Sequence, residues 1–181
     1  MLAGQGLRLI DVDRVGHQVL REPAIRERVV ASFGRSVLGM DGEVDRRALG
    51  RRVFRDRRAL RALERIVHPP MVESVRADIA SGSGPVLVNA ALLFRMGLDR
   101  LCDAVLCVHA PLRSRIARAR RRDGLGLLAT LRRIAAQRGI CPKLHGAGVD
   151  IYYVGNDRGL DALRERTLRW LSRLRQKGLE L

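Results

Sequence analysis

Short apolar runs alternate with longer amphipathic segments along the chain. Each run spans four or five residues and is rich in Val, Leu and Ile, which is typical of buried strands. The runs are Leu7–Ile10, Val86–Ala90, Ala104–Val108 and Ile151–Val154. Because strands that alternate with helices form parallel sheets covered on both faces, the pattern predicts an α/β fold.

The amphipathic segments between these runs predict the helices. Proline is expected to interrupt the first segment near Pro23 and to break the long arginine-rich one at Pro69-Pro70, because it removes a helical N–H donor. Glycine at Gly124–Gly126 is expected to separate two further helices. The predicted segments are Val15–Phe33, Asp45–Ile79, Leu112–Arg122, Leu127–Arg138 and Leu160–Leu174.

The chain is strongly basic. Its 181 residues, 46% of them apolar, are enough for one domain with a hydrophobic core, and the net charge is +16. Arginine carries nearly all of this charge, since the only lysines are Lys143 and Lys177. A basic surface suits nucleotides, nucleic acid or acidic lipids. The scatter of the arginines favours solvated helix faces instead, and the low aromatic content argues against a nucleic-acid partner.

Cysteine usage and hydropathy indicate the compartment. Cys102, Cys107 and Cys141 form neither a CxxC pair nor a Cys/His zinc spacing, which fits a reducing environment and predicts no metal site. The chain does not begin with the pattern of a secretory signal peptide. The longest apolar stretch, Pro85–Phe94, is about half the length of a membrane span. We therefore expect a soluble, cytoplasmic protein.

Two acidic residues follow the first predicted strand. Ligands of open parallel sheets bind at the carboxyl ends of the strands, and Asp11 and Asp13 lie at such an end. Strand alternation would put both side chains on one side. One carboxylate could accept a hydroxyl proton while the other orients the acceptor or helps to hold a metal. Alternatively, Asp13 is the N-cap of the next helix.

A dense group of arginines occupies one predicted helix. Arg118 and Arg122 are four residues apart and share a face, which suits a clamp on phosphate oxygens. The alternative is a solvated basic face. His68, directly before the predicted helix break, is either a catalytic residue or a histidine of the helix end or the core.

A phosphate-binding loop is missing from the sequence. The P-loop signature Gly-x-x-x-x-Gly-Lys-Ser/Thr cradles phosphates with its backbone amides while its lysine reaches the β and γ oxygens. These 181 residues contain no Gly-Lys dipeptide, because Lys143 follows Pro142 and Lys177 follows Gln176.

Several short motifs occur in one order that resembles the dephospho-CoA kinase family. The family motifs are I-D-x-D, D-G-x-x-x-R-x-x-L…V-F, L-E-x-I-x-H-P, the core of P-L-L-F-E, and the lid and post-lid helix. The matching segments here are Gly6–Asp13, Asp41–Leu49 with Val53-Phe54, Leu63–Pro69, Leu92–Phe94, Arg118…Arg122-Asp123 and Ile134…Gln137. The resemblance extends from Gly6 to Leu174.

The resemblance implies a single P-loop-kinase-like domain over residues 1–181. Its helical CoA-binding insert would span about residues 34–80 and its arginine-rich lid about residues 112–140. The implied reaction is the ATP-dependent phosphorylation of the ribose 3′-hydroxyl of dephospho-CoA, the final step of coenzyme A biosynthesis. ATP and Mg²⁺ are the expected cofactors, and dephospho-CoA is the expected partner.

The resemblance also assigns roles to residues. Asp13 resembles the general base that faces the ribose hydroxyl, and Asp11 would lie beside it near Mg²⁺. Arg46 and His68 lie in the region that binds the CoA moiety in this family. Arg118 and Arg122 resemble the lid arginines that close on the phosphates.

The chain departs from the family pattern at four places. Arg95 replaces the expected Glu after Leu-Leu-Phe, Ala91 replaces the expected Pro before it, and Asn156 occurs one place late in the segment similar to A-D-x-V-I-x-N. Only ten residues precede Asp11, whereas the family has the P-loop about one strand, one loop and one helix earlier. Either the start is placed too late, or the chain is a relative that only binds a CoA-like ligand. The first central strand is then expected to be missing.

Overall fold

Four strands form two separate two-stranded sheets in the part of the chain that the computed structural model describes, residues 6–124, 126–136 and 148–179. Strand β1 pairs with β2, and β3 pairs with β4. The β3–β4 pair is parallel and runs in register from Ala104 opposite Asp150 to His109 opposite Gly155. The strands are β1 (Arg8–Asp11), β2 (Val86–Asn89), β3 (Ala104–His109) and β4 (Asp150–Gly155).

Helices connect these strands in the predicted order. They are α1 (Val12–Val19), α2 (Pro23–Phe33), α3 (Arg46–Val53), α4 (Arg57–Ala80), α5 (Leu112–Asp123), α6 (Leu127–Ala136) and α7 (Leu160–Gln176). The alternation of strands and helices confirms the predicted α/β class. Within the described ranges, no helix combines the length and the apolar character needed to cross a bilayer.

The helix break predicted at Pro69-Pro70 is wrong. Helix α4 continues through both prolines for 24 residues, and the interruption lies earlier, between Phe54 and Asp56. Proline fixes φ near the helical value, so its penalty is the lost N–H donor and the ring contact with the preceding turn. Buried Ile66 and Val75, one on each side of the prolines, hold both halves of α4 in the same core.

Residues Leu9–Ala90 form one compact unit around α4. Helices α1, α2 and α3 each pack against this long helix. The core is aliphatic, as the low aromatic content predicts; its buried side chains include Val12, Val15, Val19, Ile25, Val29, Leu49, Val53, Ile66 and Val75. Helix α1 contacts α4 at Gly16, where a Cβ atom would lie 3.0 Å from Cε of Met71.

The second unit comprises the described residues before Leu9 and after Ala90. Strand β3 buries alternate residues, Val105 and Cys107, whereas β4 buries Ile151 and Val154, which are three positions apart. Helix α7 packs on β4 and buries Thr167, Leu171 and Leu174. Tyr152 and Trp170 meet edge to face between these two elements, with ring centroids 6.0 Å apart.

Candidate functional site

Asp11 caps the helix that follows β1. It is the last residue of the strand, and its Oδ1 accepts hydrogen bonds from the backbone N–H groups of Asp13, at 3.0 Å, and Arg14, at 3.4 Å. The alternative that Asp13 is the N-cap is therefore wrong. The helix begins at Val12, so the capping position falls to the residue before it.

Asp13 lies in the first turn of α1 with an exposed side chain. The expectation that strand alternation puts Asp11 and Asp13 on one side is wrong, because the strand ends at Asp11 and the side-chain period changes from 2 to 3.6. No described residue donates a hydrogen bond to the Asp13 carboxylate. Its oxygens therefore stay accessible to a hydroxyl group.

Asp13 and His68 lie on two helices, α1 and α4, that pack against each other. Gly16 on α1 touches Met71 on α4, and each of these contact residues follows a candidate residue by three positions. At about 1.5 Å per residue, Asp13 and His68 each lie about 4.5 Å along their helix from this crossing. His68 is half-buried in the middle of α4 rather than at a helix end, since the predicted break is absent.

Arg46 opens α3 beside the capping residue of that helix. The backbone N–H groups of Ala48 and Arg47 donate to the Asp45 carboxylate and hold its pKa below the usual value. Arg46 itself is exposed and faces an open cavity of about 520 Å³. The cavity is lined by Gly39, Met40, Asp41, Val44, Asp45 and Arg46.

In the second unit, Arg118 joins α5 to the end of β4. Its Nη2 donates to the backbone oxygen and to Oδ1 of Asn156, both at 3.1 Å. Asn156 in turn donates its backbone N–H to the carbonyl of His109, at 2.7 Å, which extends the β3–β4 ladder. Arg122 lies in the last turn of α5, and its side chain is outside the described residues. The predicted pairing of Arg118 with Arg122 therefore stays a prediction.

An ion pair between Arg166 and Asp157 lies at the carboxyl end of the β3–β4 pair, and the sequence did not predict it. Nη1 of Arg166 donates to Asp157 Oδ1 at 2.7 Å and to the carbonyl of Gly155 at 2.8 Å. This hydrogen bond lowers the pKa of Asp157. A Cβ atom at position 155 would lie 3.0 Å from that nitrogen, so a larger residue there would displace the guanidinium group by a few tenths of an ångström. The only sequence feature that could have indicated this ion pair is the Gly-Asn-Asp turn at the end of β4.

The carboxylates at the start of α1 would supply only part of a Mg²⁺ site, and waters and substrate phosphates would complete it. Among the described residues, no three His, Cys, Asp or Glu side chains are grouped to hold a metal ion. Protein-bound Mg²⁺ commonly uses only one or two carboxylates together with waters and substrate phosphates. The Asp11 carboxylate spends Oδ1 on the helix cap, which leaves Oδ2 for such a contact.

A family model described as dephospho-CoA kinase matches residues 1–159. The chain belongs to the dephospho-CoA kinase family. The element order and the motif order agree with this membership, because the I-D-x-D segment leads from β1 into α1 and the L-E-x-I-x-H-P segment lies within α4.

Curated dephospho-CoA kinases match most of the chain. The enzyme of Latilactobacillus sakei is 32% identical over 169 residues, which cover 91% of this chain and 82% of the relative. That of Anaeromyxobacter dehalogenans is 35% identical over 174 residues, which cover 93% and 82%. Family membership therefore extends across both compact units.

Solved structures confirm the fold. A crystal structure of a Thermus thermophilus protein matches with a TM-score of 0.74 and 29% identity, and the match covers 96% of this chain and 87% of that one. The dephospho-CoA kinase of Campylobacter jejuni, at 22% identity, shows the fold alone, with a TM-score of 0.67 and coverages of 98% and 90%. The roles of Asp13, Asp11, Arg46, His68, Arg118 and Arg122 remain predictions.

Proposed function

We propose that this protein transfers the γ-phosphoryl group of ATP to the ribose 3′-hydroxyl of dephospho-CoA. One observation carries the proposal beyond family membership. Asp13 has an exposed carboxylate with no donor among the described residues, on a helix whose first turn is fixed by Asp11. A general base needs such a position, because the acceptor hydroxyl must come within about 2.6–3.2 Å of it.

Asp13 then accepts the proton of the 3′-hydroxyl as the hydroxyl oxygen bonds to the γ-phosphorus and the bond from that phosphorus to the ADP oxygen breaks. The protein does little covalent chemistry in such a transfer, so the rate depends on positioning and on neutralisation of phosphate charge. Asp11 fixes the first turn of α1 and thereby orients Asp13. Mg²⁺ held partly by Asp11 would neutralise charge on the transferring phosphoryl group.

The acceptor binds to the α3–α4 region. Arg46 lines the open cavity beside the N-cap of α3, and His68 lies three residues before Met71, which contacts α1. An exposed guanidinium group at the start of a helix suits a phosphate oxygen of the acceptor. The contact between Gly16 and Met71 supports this assignment, because it joins the helix that carries Asp13 to the helix that carries His68.

Arg118 and Arg122 bind phosphates from a lid that spans about residues 112–140. Asn156 engages only Nη2 of Arg118, so the remaining N–H donors of its guanidinium group can bind a phosphate. Guanidinium groups suit phosphate because their planar N–H fork matches two oxygens.

A polypeptide that includes a P-loop sequence is needed to test the reaction. We expect the 181-residue polypeptide to form CoA very slowly from ATP and dephospho-CoA, since it contains no Gly-Lys dipeptide. The same polypeptide preceded by a segment with the P-loop signature should turn over dephospho-CoA. Comparable rates from the two polypeptides would contradict this part of the proposal.

A further inference from the structure

Arginine is concentrated on the surface of α3 and the first half of α4. Nine arginines lie between residues 46 and 65, against three acids between residues 45 and 65, and all nine side chains are exposed. We call this set the arginine face. It consists of Arg46, Arg47, Arg51, Arg52, Arg55, Arg57, Arg58, Arg61 and Arg65.

Internal ion pairing does not account for this set. Asp45 and Asp56 spend their carboxylates on the caps of α3 and α4, where they accept backbone N–H groups. None of the nine arginines forms an ion pair with a described residue, in contrast to Arg26, which pairs with Glu43. Apart from the attraction of Arg47 and Arg51 to the Asp45 carboxylate, their positive charge is therefore available to an outside anion.

Helical spacing arranges part of the face in a row. Arg57, Arg61 and Arg65 are four residues apart, so they lie on one side of α4. Successive members are about 6 Å apart along the helix axis, and the row is about 12 Å long. A row of this length can contact several consecutive phosphates of an extended polyanion.

An exposed aromatic ring lies within the same segment. Phe54 ends α3 and is 80% exposed, between Arg52 on one side and Arg55 on the other along the chain. Its ring lies against α3 at Gly50, where a Cβ atom would be 3.4 Å from Cε2. The glycine thus lets the ring rest on the helix with its outer side open.

We propose that the arginine face and Phe54 bind single-stranded nucleic acid without sequence preference. Phosphates contact the arginines, and one base stacks on the open side of Phe54, a combination typical of single-strand binding surfaces. The row of Arg57, Arg61 and Arg65 is about 12 Å long, which favours an extended polymer over a single phosphate group. Apart from Arg46, which the proposed kinase site also uses, the inference does not depend on the kinase reaction, and it is an alternative to the expectation from sequence that the basic charge is mainly compositional.

Binding of a labelled 20-nucleotide single strand, measured by fluorescence anisotropy over a salt series, tests the proposal. The substitutions Arg57→Gln, Arg61→Gln and Arg65→Gln together should reduce the slope of log K against log salt by about 2, since each phosphate contact contributes about 0.7. Phe54→Ala should weaken binding by about tenfold without a change in the slope. The matched control removes three exposed arginines of α7 by Arg164→Gln, Arg169→Gln and Arg173→Gln, and should alter binding little.

Several outcomes would overturn the proposal. An equal loss in the α7 control would mean that net charge alone attracts the strand. Unchanged binding by a folded Phe54→Ala variant, or equally tight binding of inorganic polyphosphate, would exclude base stacking. Full competition by stoichiometric dephospho-CoA would assign the face to the acceptor instead. Thermal unfolding of each variant separates a lost contact from a lost fold.

Discussion

At the scale of single residues, the carboxylates of Asp11 and Asp13 have different surroundings because β1 ends at Asp11 and α1 begins at Val12. The sequence predicts that Asp11 and Asp13 lie at the carboxyl end of β1, and the structure agrees for Asp11. It could not predict which of them caps α1, because a shift of one or two residues in the helix start exchanges their positions. The hydrogen bonds that Asp11 accepts from the backbone of Asp13 and Arg14 show that Asp11 is the cap.

Asp13→Asn should reduce kcat by about 10²–10⁴ in the active protein, because the amide keeps the shape of the side chain but cannot accept the hydroxyl proton. The KM for dephospho-CoA should change little. Steady-state kinetics over a range of acceptor concentrations measures both values. A nearly normal kcat would exclude Asp13 as the base.

Asp11→Ala should lower the free energy of unfolding by about 0.5–2 kcal/mol, because two backbone N–H groups of α1 lose their acceptor. Asp11→Asn is the matched control, since asparagine caps helices as well as aspartate does. Urea denaturation of the two variants compares them. Equal stability of the alanine and asparagine variants would contradict the capping role.

Cys102 should react slowly with alkylating agents near pH 8. Burial, together with the negative charges of Asp99 and Asp103, raises the pKa of this thiol from 9.0 to about 11. The folded state keeps the proton while the unfolded state ionises, so this group lowers stability as the pH rises from about 9 to 11. Cys102→Ala should remove that part of the pH dependence in denaturation curves, and an unchanged curve would argue against the raised pKa.

At the scale of elements, helix packing overrode local sequence signals. Two adjacent prolines predict a break, yet α4 continues because buried residues on both sides of them share one core. Conversely, the real interruption at Phe54–Asp56 has no proline or glycine, and Asp56 marks it only as a capping residue. Local propensity is a weak guide where a helix is packed along its length.

The crossing of α1 and α4 offers an element-scale prediction at Gly16. Gly16→Ala should be nearly neutral, because its Cβ meets the flexible end of Met71 and alanine favours the helix. Gly16→Leu should cost about 1–3 kcal/mol of stability, since the larger side chain overpacks the contact. It should also lower kcat if the crossing positions Asp13. Thermal unfolding and turnover of both variants check this, and a fully active, stable leucine variant would contradict it.

At the scale of the whole molecule, the sequence predicted the α/β class, the order of elements and the family, because ordered motifs and apolar runs are local features. Contacts formed between distant segments were not predictable. The Arg166–Asp157 pair joins α7 to the turn after β4, and the Arg118–Asn156 contact joins residues 38 positions apart. Neither leaves a periodic signal in the sequence.

The position of phosphorylation tests the central claim most directly. The protein, in a polypeptide that includes a P-loop sequence, is incubated with ATP and either dephospho-CoA or its 3′-deoxyribose analogue, and the products are analysed by mass spectrometry. We predict one added phosphoryl group on dephospho-CoA and none on the analogue, because Asp13 acts only on the 3′-hydroxyl. Phosphorylation of the analogue, or no product from dephospho-CoA with ATP demonstrably bound, would contradict the account.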